Sequence, residues 1–268
     1  MSVLLVEKDG HVATVTLNRP EARNALNPEL VCRLAECWDA LKADVAVRVV
    51  VLTGAPGSTF CAGFDLATSI PLMTGTRGPQ DDWEKAFAAD PGLAAKATLR
   101  AFDLGKPLIV AANGHAIAGG MEILLSADLR IVAEKALLGL SEVKLGLIPA
   151  MGGTALLARR VPPALATELL LTGSNISAAR AAEAGFVNRV VAADGVLPAA
   201  MELAQAIAAN APLAVSAARD VIRRSGDLPA AAALALEADY LTRLAATEDA
   251  REGPRAFMEK RQPVFRGK

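Results

Sequence analysis

Rings, histidines and cysteines are scarce in this chain. Aromatic residues make up 4% of its 268 positions, with seven Phe, two Trp and one Tyr. A hydrophobic content of 53% must therefore be met mostly by Ala, Val and Leu, and the chain is long enough to bury most of its surface without covalent staples. There are two His and three Cys, namely Cys32, Cys37 and Cys61, and none of the cysteines forms a CxxC pair. A disulfide framework or a Cys/His zinc site is thereby disfavoured, no metal site is expected, and the thiols read as buried structural groups. The net charge is −1 with both signs interspersed, so nothing in the composition points to nucleic acid or an anionic membrane. Charge interrupts the longest apolar runs, which argues against a membrane span. No basic-plus-apolar leader opens the chain, and the expected location is cytoplasmic. No repeat occurs at solenoid periods. A GxGxxG fingerprint is missing too: Gly114, Gly119 and Gly120 have the wrong spacing, which tells against a dinucleotide oxidoreductase.

What is present is a pattern of strands and helices followed by a helical C-terminal third. Residues 3–8 and 11–17 alternate as a hairpin around Asp9-Gly10. Asn27-Pro28 opens a helix to about Ala43, with Leu30, Leu34, Cys37, Trp38 and Leu41 on one stripe. Buried strands are predicted at 48–52, 107–112, 129–133 and 187–191, with a further one at 137–140. Residues 70–97 are broken by Pro71, Gly75, Gly78, Pro79, Pro91 and Gly92, and read as a polar, mobile excursion with a short helix near 83–88. Trp83 and Phe87 there either contact a substrate or anchor the excursion. Helices are expected at 93–104, from Gly119 or Gly120 to Ser126, after Ser177, and over about 195–210, 211–225, 229–246 and 249–260.

Two glycine-marked stretches stand out. The first is Phe60-Cys61-Ala62-Gly63-Phe64-Asp65-Leu66 and the second runs from Asn113-Gly114 to Gly119-Gly120-Met121-Glu122. A strand, a loop, a Gly pair and then a helix leave unpaired N–H groups at the positive end of a helix dipole, which is a ready anion site. The plainer alternative is a tight strand-to-helix connection. Glu122 sits in the first turn of that helix, where acidic residues commonly offset the dipole. Glu142 follows a short strand, where a solvated charge is the plainer reading. Together the two carboxylates suit acid/base work on a carbon acid, which needs two groups poised on one substrate.

With these motifs in order, the sequence resembles the enoyl-CoA hydratase/isomerase (crotonase) superfamily. The likeness runs from Leu17-Asn18-Arg19-Pro20 and Asn24-Ala25-Leu26, through the two glycine stretches, to Glu142, Gly146-x-Ile148-Pro149, Gly152-Gly153-Thr154 and the Arg251-Glu252-Gly253, Phe257, Lys260 segment. The resemblance implies an α/β fold, a crotonase-like spiral of ββα units over 1–195 that holds the active site. It assigns 196–268 to a C-terminal helical region for oligomerisation and CoA contact, in a homotrimer or a hexamer made of two trimers. It implies an acyl-CoA thioester substrate and no separate cofactor, CoA being part of the substrate. By position, the Phe64 and Gly119 N–H groups form the oxyanion hole, and each such donor is worth about 3 kcal/mol of barrier. Glu122 holds and activates a water for C3 of a trans-2-enoyl-CoA, and Glu142 protonates C2. Ala62 and Leu66 flank the adenine. Arg23 and Lys260 match basic positions near CoA phosphates, or serve as ordinary surface charge.

Some positions depart from the common pattern. Phe64 replaces the alanine usual in straight-chain hydratases, and His115 occupies a variable position. The resemblance leaves an enoyl-CoA isomerase, or a specialised lyase of the carnitinyl-CoA dehydratase kind, as alternatives to a hydratase. Some relatives bind RNA, but this chain has no dense basic cluster with interleaved aromatics.

Overall fold

The computed structural model describes residues 2–100 and 102–268. Its first two strands, β1 (Leu4–Asp9) and β2 (Val12–Leu17), form the expected antiparallel hairpin, with Leu4 opposite Leu17. Three strand pairs then repeat. They are β3 (Val49–Gly54) with β4 (Thr59–Cys61), β5 (Leu108–Ala112) with β6 (His115–Ile117), and β7 (Leu129–Ala133) with β8 (Leu137–Gly139). The first member of each pair joins one sheet and the second joins another. Adding β9 (Asn175–Ser177) and β10 (Arg189–Val191), the sheets run β1-β2-β3-β5-β7-β10 and β4-β6-β8-β9. From β2 to β10 the large sheet is parallel. Each repeat is completed by helix, which is the ββα spiral the resemblance implies.

Every residue of β3 and β5 is buried, so these strands read as unbroken apolar runs rather than as alternating ones. Of the four-stranded sheet only β8 was legible in the sequence, as the strand expected at 137–140. The sheet's strands are three residues long, too short to show a period, and β4 and β6 overlap the glycine-marked stretches.

Helix α1 (Pro28–Ala43) begins where Asn27 accepts a hydrogen bond from the Leu30 amide, and Trp38 at its centre is fully buried. The 70–97 excursion holds α2 (Ser69–Met73), α3 (Asp82–Ala89) and α4 (Leu93–Ala97), and α3 and α4 both pack on α1. Phe87 is buried, and the Arg33 guanidinium lies 4.9 Å from the Trp83 ring centroid, so both rings anchor the excursion. Buried Glu84 takes a bidentate ion pair from Arg77.

The helix expected over 93–104 ends at Ala97. Trp38 Nε1 donates to the Ala97 carbonyl at 2.9 Å, Leu99 turns left-handed at φ +59°, and the Arg100 amide reaches back to the Ala95 carbonyl at 2.8 Å. This is a Schellman closure with leucine where glycine is usual. No stop residue marks it in the sequence. The strand expected from Val187 begins only at Arg189.

The remaining helices are α5 (Gly119–Ser126), α6 (Gly153–Leu156), α7 (Pro163–Thr172), α8 (Ala178–Glu183), α9 (Val196–Ala208), α10 (Pro212–Ser225), α11 (Ala230–Ala245) and α12 (Glu248–Met258). Helix α9 lies across β2, β3, β5 and β7, with Val196, Ala200, Ala204 and Ala208 on its buried face. Small side chains at that four-residue spacing let the helix sit close to the sheet. By contrast, α11 buries none of its residues, and Leu234 and Leu241 are exposed. Among the described residues, no helix is long and apolar enough to cross a membrane.

Candidate active site

The first glycine stretch is pinned from one side by Leu26. Its amide donates to the Gly63 carbonyl at 2.8 Å, and its carbonyl accepts from the Asp65 amide at 3.1 Å. In this parallel bridge Leu26 uses the groups on either side of Phe64, so the Phe64 N–H points the other way. Asp65 holds the turn by accepting from the Ala67 and Thr68 amides and pairing with Arg19 at 3.2 Å.

The second stretch comes to meet it. Strand β6 ends at Ile117, Ala118 adopts φ +52° and ψ −122°, and α5 starts at once with Gly119. The Gly119 N–H is an unpaired first-turn donor. Gly63 has φ +91°, and a Cβ there would lie 2.7 Å from Ala118 Cβ and 2.9 Å from the Gly119 nitrogen, so only glycine allows this approach. Gly120 is equally constrained, because a Cβ would meet the Cys61 carbonyl oxygen at 2.2 Å. The outcome is two backbone N–H groups on adjacent turns, at Phe64 and Gly119, with no acceptor among the described residues. A carbonyl oxygen gaining negative charge fits such a pair.

One turn into α5, Glu122 is almost fully buried, at 2% exposure. Its Oε1 accepts from the Gly153 amide at 3.0 Å, at the start of α6. Burial pushes its carboxyl up to about 7, and the nearby Glu142 charge adds to the rise. The Gly153 and Met151 amides and the Arg100 charge act in the opposite direction. Glu142 opens a short 3-10 turn over Glu142–Leu145, and its carboxyl is also raised by burial. Its Oε2 is buried with no hydrogen-bond partner among the described residues. Burial raises both carboxyl groups and the Glu142 charge acts on Glu122, so the two titrate as a pair.

The far end of α5 is held as firmly as its start. Arg130 on β7 donates to the Leu124 carbonyl at 2.6 Å and to the Ala127 carbonyl at 2.7 Å, with its guanidinium 4.7 Å from the Phe186 ring. Burial lowers its pKa to about 10, and it remains charged at neutral pH.

A family model described as Enoyl-CoA hydratase/isomerase matches residues 7–268. The chain belongs to the enoyl-CoA hydratase/isomerase family. It is 44% identical over 265 residues to an enoyl-CoA hydratase from Mycobacterium tuberculosis, covering 98% of this chain and 96% of that one. It is 40% identical to the 2,3-dehydroadipyl-CoA hydratase of Escherichia coli, over the full length of both. The crystal structure of an enoyl-CoA hydratase from Bacillus anthracis superposes with a TM-score of 0.89 at 34% identity, covering 99% of this chain and all of that one. As a family member, this protein is an enzyme of the hydro-lyase kind with the crotonase fold, acting on acyl-CoA.

The structure brings some of the other predicted residues together and leaves others apart. The Arg23 carbonyl accepts from the Ala62 amide at 3.1 Å, so the Arg23 turn borders the first glycine stretch. Leu66 is 62% exposed two residues beyond Phe64. Lys260 lies past the end of α12, exposed, and no hydrogen bond or ion pair among the described residues joins it to Arg23, Ala62 or Leu66. His115 is engaged away from the two glutamates, accepting the Leu137 amide at Nδ1 at 2.9 Å. Three contributors were not singled out in the sequence. Gly153 belongs to a quoted Gly-Gly motif, and a helix-start amide was its available signal. Arg100 and Arg130 act through tertiary neighbours and carry no local signal.

Proposed function

We propose that this protein is an enoyl-CoA hydratase that adds water syn across the C2–C3 double bond of a trans-2-enoyl-CoA, or runs the reverse dehydration. The observation that carries the reading is a buried Glu122 carboxyl and a half-buried Glu142 carboxyl, whose charge acts on Glu122, beside two free backbone donors. The thioester oxygen would sit between the Phe64 and Gly119 N–H groups, which are fixed before the reaction starts and so need little reorganisation as the enolate forms. That polarisation makes C3 electrophilic. A water held by Glu122 and Glu142 attacks C3 and loses a proton to the ionised partner, while the protonated partner supplies C2. Glu122 as base and Glu142 as acid is the assignment by position. The two carboxyl groups titrate as a pair, so on this reading bound substrate and water decide which oxygen carries the proton. The chemistry uses acid, base and hydrogen-bond donors alone, and calls for no metal or redox cofactor.

On the same reading, Ala62, Leu66 and Arg23 border the CoA, and α10–α12 are the assembly region. Exposed Ile222, Leu234, Leu241 and Phe257 on those helices support this, and a neighbouring copy would bring Lys260 towards a CoA phosphate. The test is hydration of crotonyl-CoA and of longer and aromatic enoyl-CoAs, followed by loss of the conjugated-thioester absorbance. Turnover is expected, and Glu122→Gln should abolish it. Thioester binding without turnover on any substrate would reject hydration in favour of an isomerase or another lyase.

A further inference from the structure

A cavity of about 530 Å³ lies at the C-terminal end of α5, lined by Leu125 and Ser126, and four arginines line it too: Arg100, Arg159, Arg160 and Arg223. They face a single acid, Asp227, which Arg159 already pairs. Arg223 lies 3.9 Å from Asp103 and 4.0 Å from Asp128. Arg100 and Arg160 make no ion pair among the described residues. The rest of the wall includes apolar Leu125, Leu156 and Ile222.

The cavity adjoins the catalytic groups. Leu125 and Ser126 stand three and four residues after Glu122 and so share its face of α5. A Cβ on Gly152 would lie 3.9 Å from Arg100 Cγ and 3.2 Å from Leu156 Cδ1, and the next amide, Gly153, holds the Glu122 carboxyl. The Arg100 charge is felt at Glu122, where it favours the ionised form. Leu125 is about 9 Å of helix rise beyond Gly119. An acyl chain of a few carbons and an extended arginine side chain span that distance together.

The presentation of Arg100 also carries a conformational cost. It follows Leu99, a buried residue held at φ +59°, where a bulky side chain is disfavoured. Arg100 and Arg160 are exposed, without an ion pair among the described residues, beside the apolar wall, and such guanidinium groups suit a carboxylate, which they bind through paired N–H donors.

We propose that Arg100 and Arg160 receive a carboxylate at the far end of the acyl group, so that the preferred substrate is an enoyl-CoA with an anionic tail. This rests on the hydratase reading above. The test compares kcat/KM for three trans-2-enoyl-CoAs of equal length, ending in a carboxylate, its methyl ester or a methyl group. The carboxylate form is expected to be favoured at least about tenfold over the ester, and Arg100→Met should bring that ratio close to one. The ratio is the readout because Arg100 also acts on Glu122, so absolute rates will shift. A wild-type ratio near one, or a ratio that survives in both Arg100→Met and Arg160→Met, overturns the proposal. Calorimetry with the saturated acyl-CoA carboxylate and its ester separates the two readings. Preferential binding of the carboxylate with no hydration of any enoyl-CoA would leave the anion site standing and remove the hydratase. Hydration of all three substrates at equal efficiency would do the reverse.

Discussion

Arg130 on β7 donates to the Leu124 carbonyl of α5 at 2.6 Å, so the helix that carries Gly119 and Glu122 is held by a buried guanidinium at its C-terminal end. A cation suits that end of a helix, where carbonyls lack intrahelical partners.

Arg130→Met should therefore leave the Leu124 and Ala127 carbonyls without this partner and remove the ring contact with Phe186. A loss of about 3 kcal/mol in stability is expected, read from the urea midpoint, together with a fall in kcat as α5 loosens. An unchanged midpoint would mean that the guanidinium does not hold the helix.

Backbone donors make the oxyanion site insensitive to some substitutions and sensitive to others. Phe64→Ala keeps its N–H and should change KM across acyl groups far more than kcat. Gly119→Pro removes a donor and should lower kcat by about a hundredfold or more. Binding of a saturated acyl-CoA confirms that the variant is folded. Equal loss of kcat in both variants would contradict a backbone oxyanion hole.

The two glutamates should give a bell-shaped pH profile for kcat/KM. Its alkaline limb is expected near 7, where burial holds the Glu122 carboxyl, and both limbs belong to the pair. A rate that stays flat from pH 7 to pH 9 would show that neither glutamate needs its proton. Glu142→Gln should abolish hydration while thioester binding is kept. It also removes a like charge, so the Glu122 value should move down while burial keeps it above 4.5, as carboxyl NMR would show.

Glu122 also links stability to pH. Its pKa rises from 4.5 to about 7 on folding, so below pH 4.5 both states are protonated and the residue makes no difference. Above pH 7 the folded state carries a charge it disfavours, at a cost of up to about 3 kcal/mol. Glu122→Gln should therefore raise Tm at pH 8 and have little effect at pH 4.5. A gain of the same size at both values would point to packing instead.

The local chemistry was legible in the sequence. Asp9-Gly10 marks the hairpin, Asn27 caps α1, and continuous apolar runs mark β3 and β5, because turns, caps and burial leave residue-scale signatures. Gly63, Gly119, Glu122 and Glu142 were legible as candidates through the motif resemblance. Tertiary structure decided the rest. The end of α4 at Leu99 depends on Trp38, fifty-nine residues from the Ala97 carbonyl it binds, and the small sheet exists only because three-residue strands find one another across the spiral. The raised Glu122 carboxyl and the unpartnered Glu142 oxygen follow from burial and from charges on other elements. A sequence names the groups that titrate; only the packed chain sets the dielectric and the neighbours that decide which of them hold a proton.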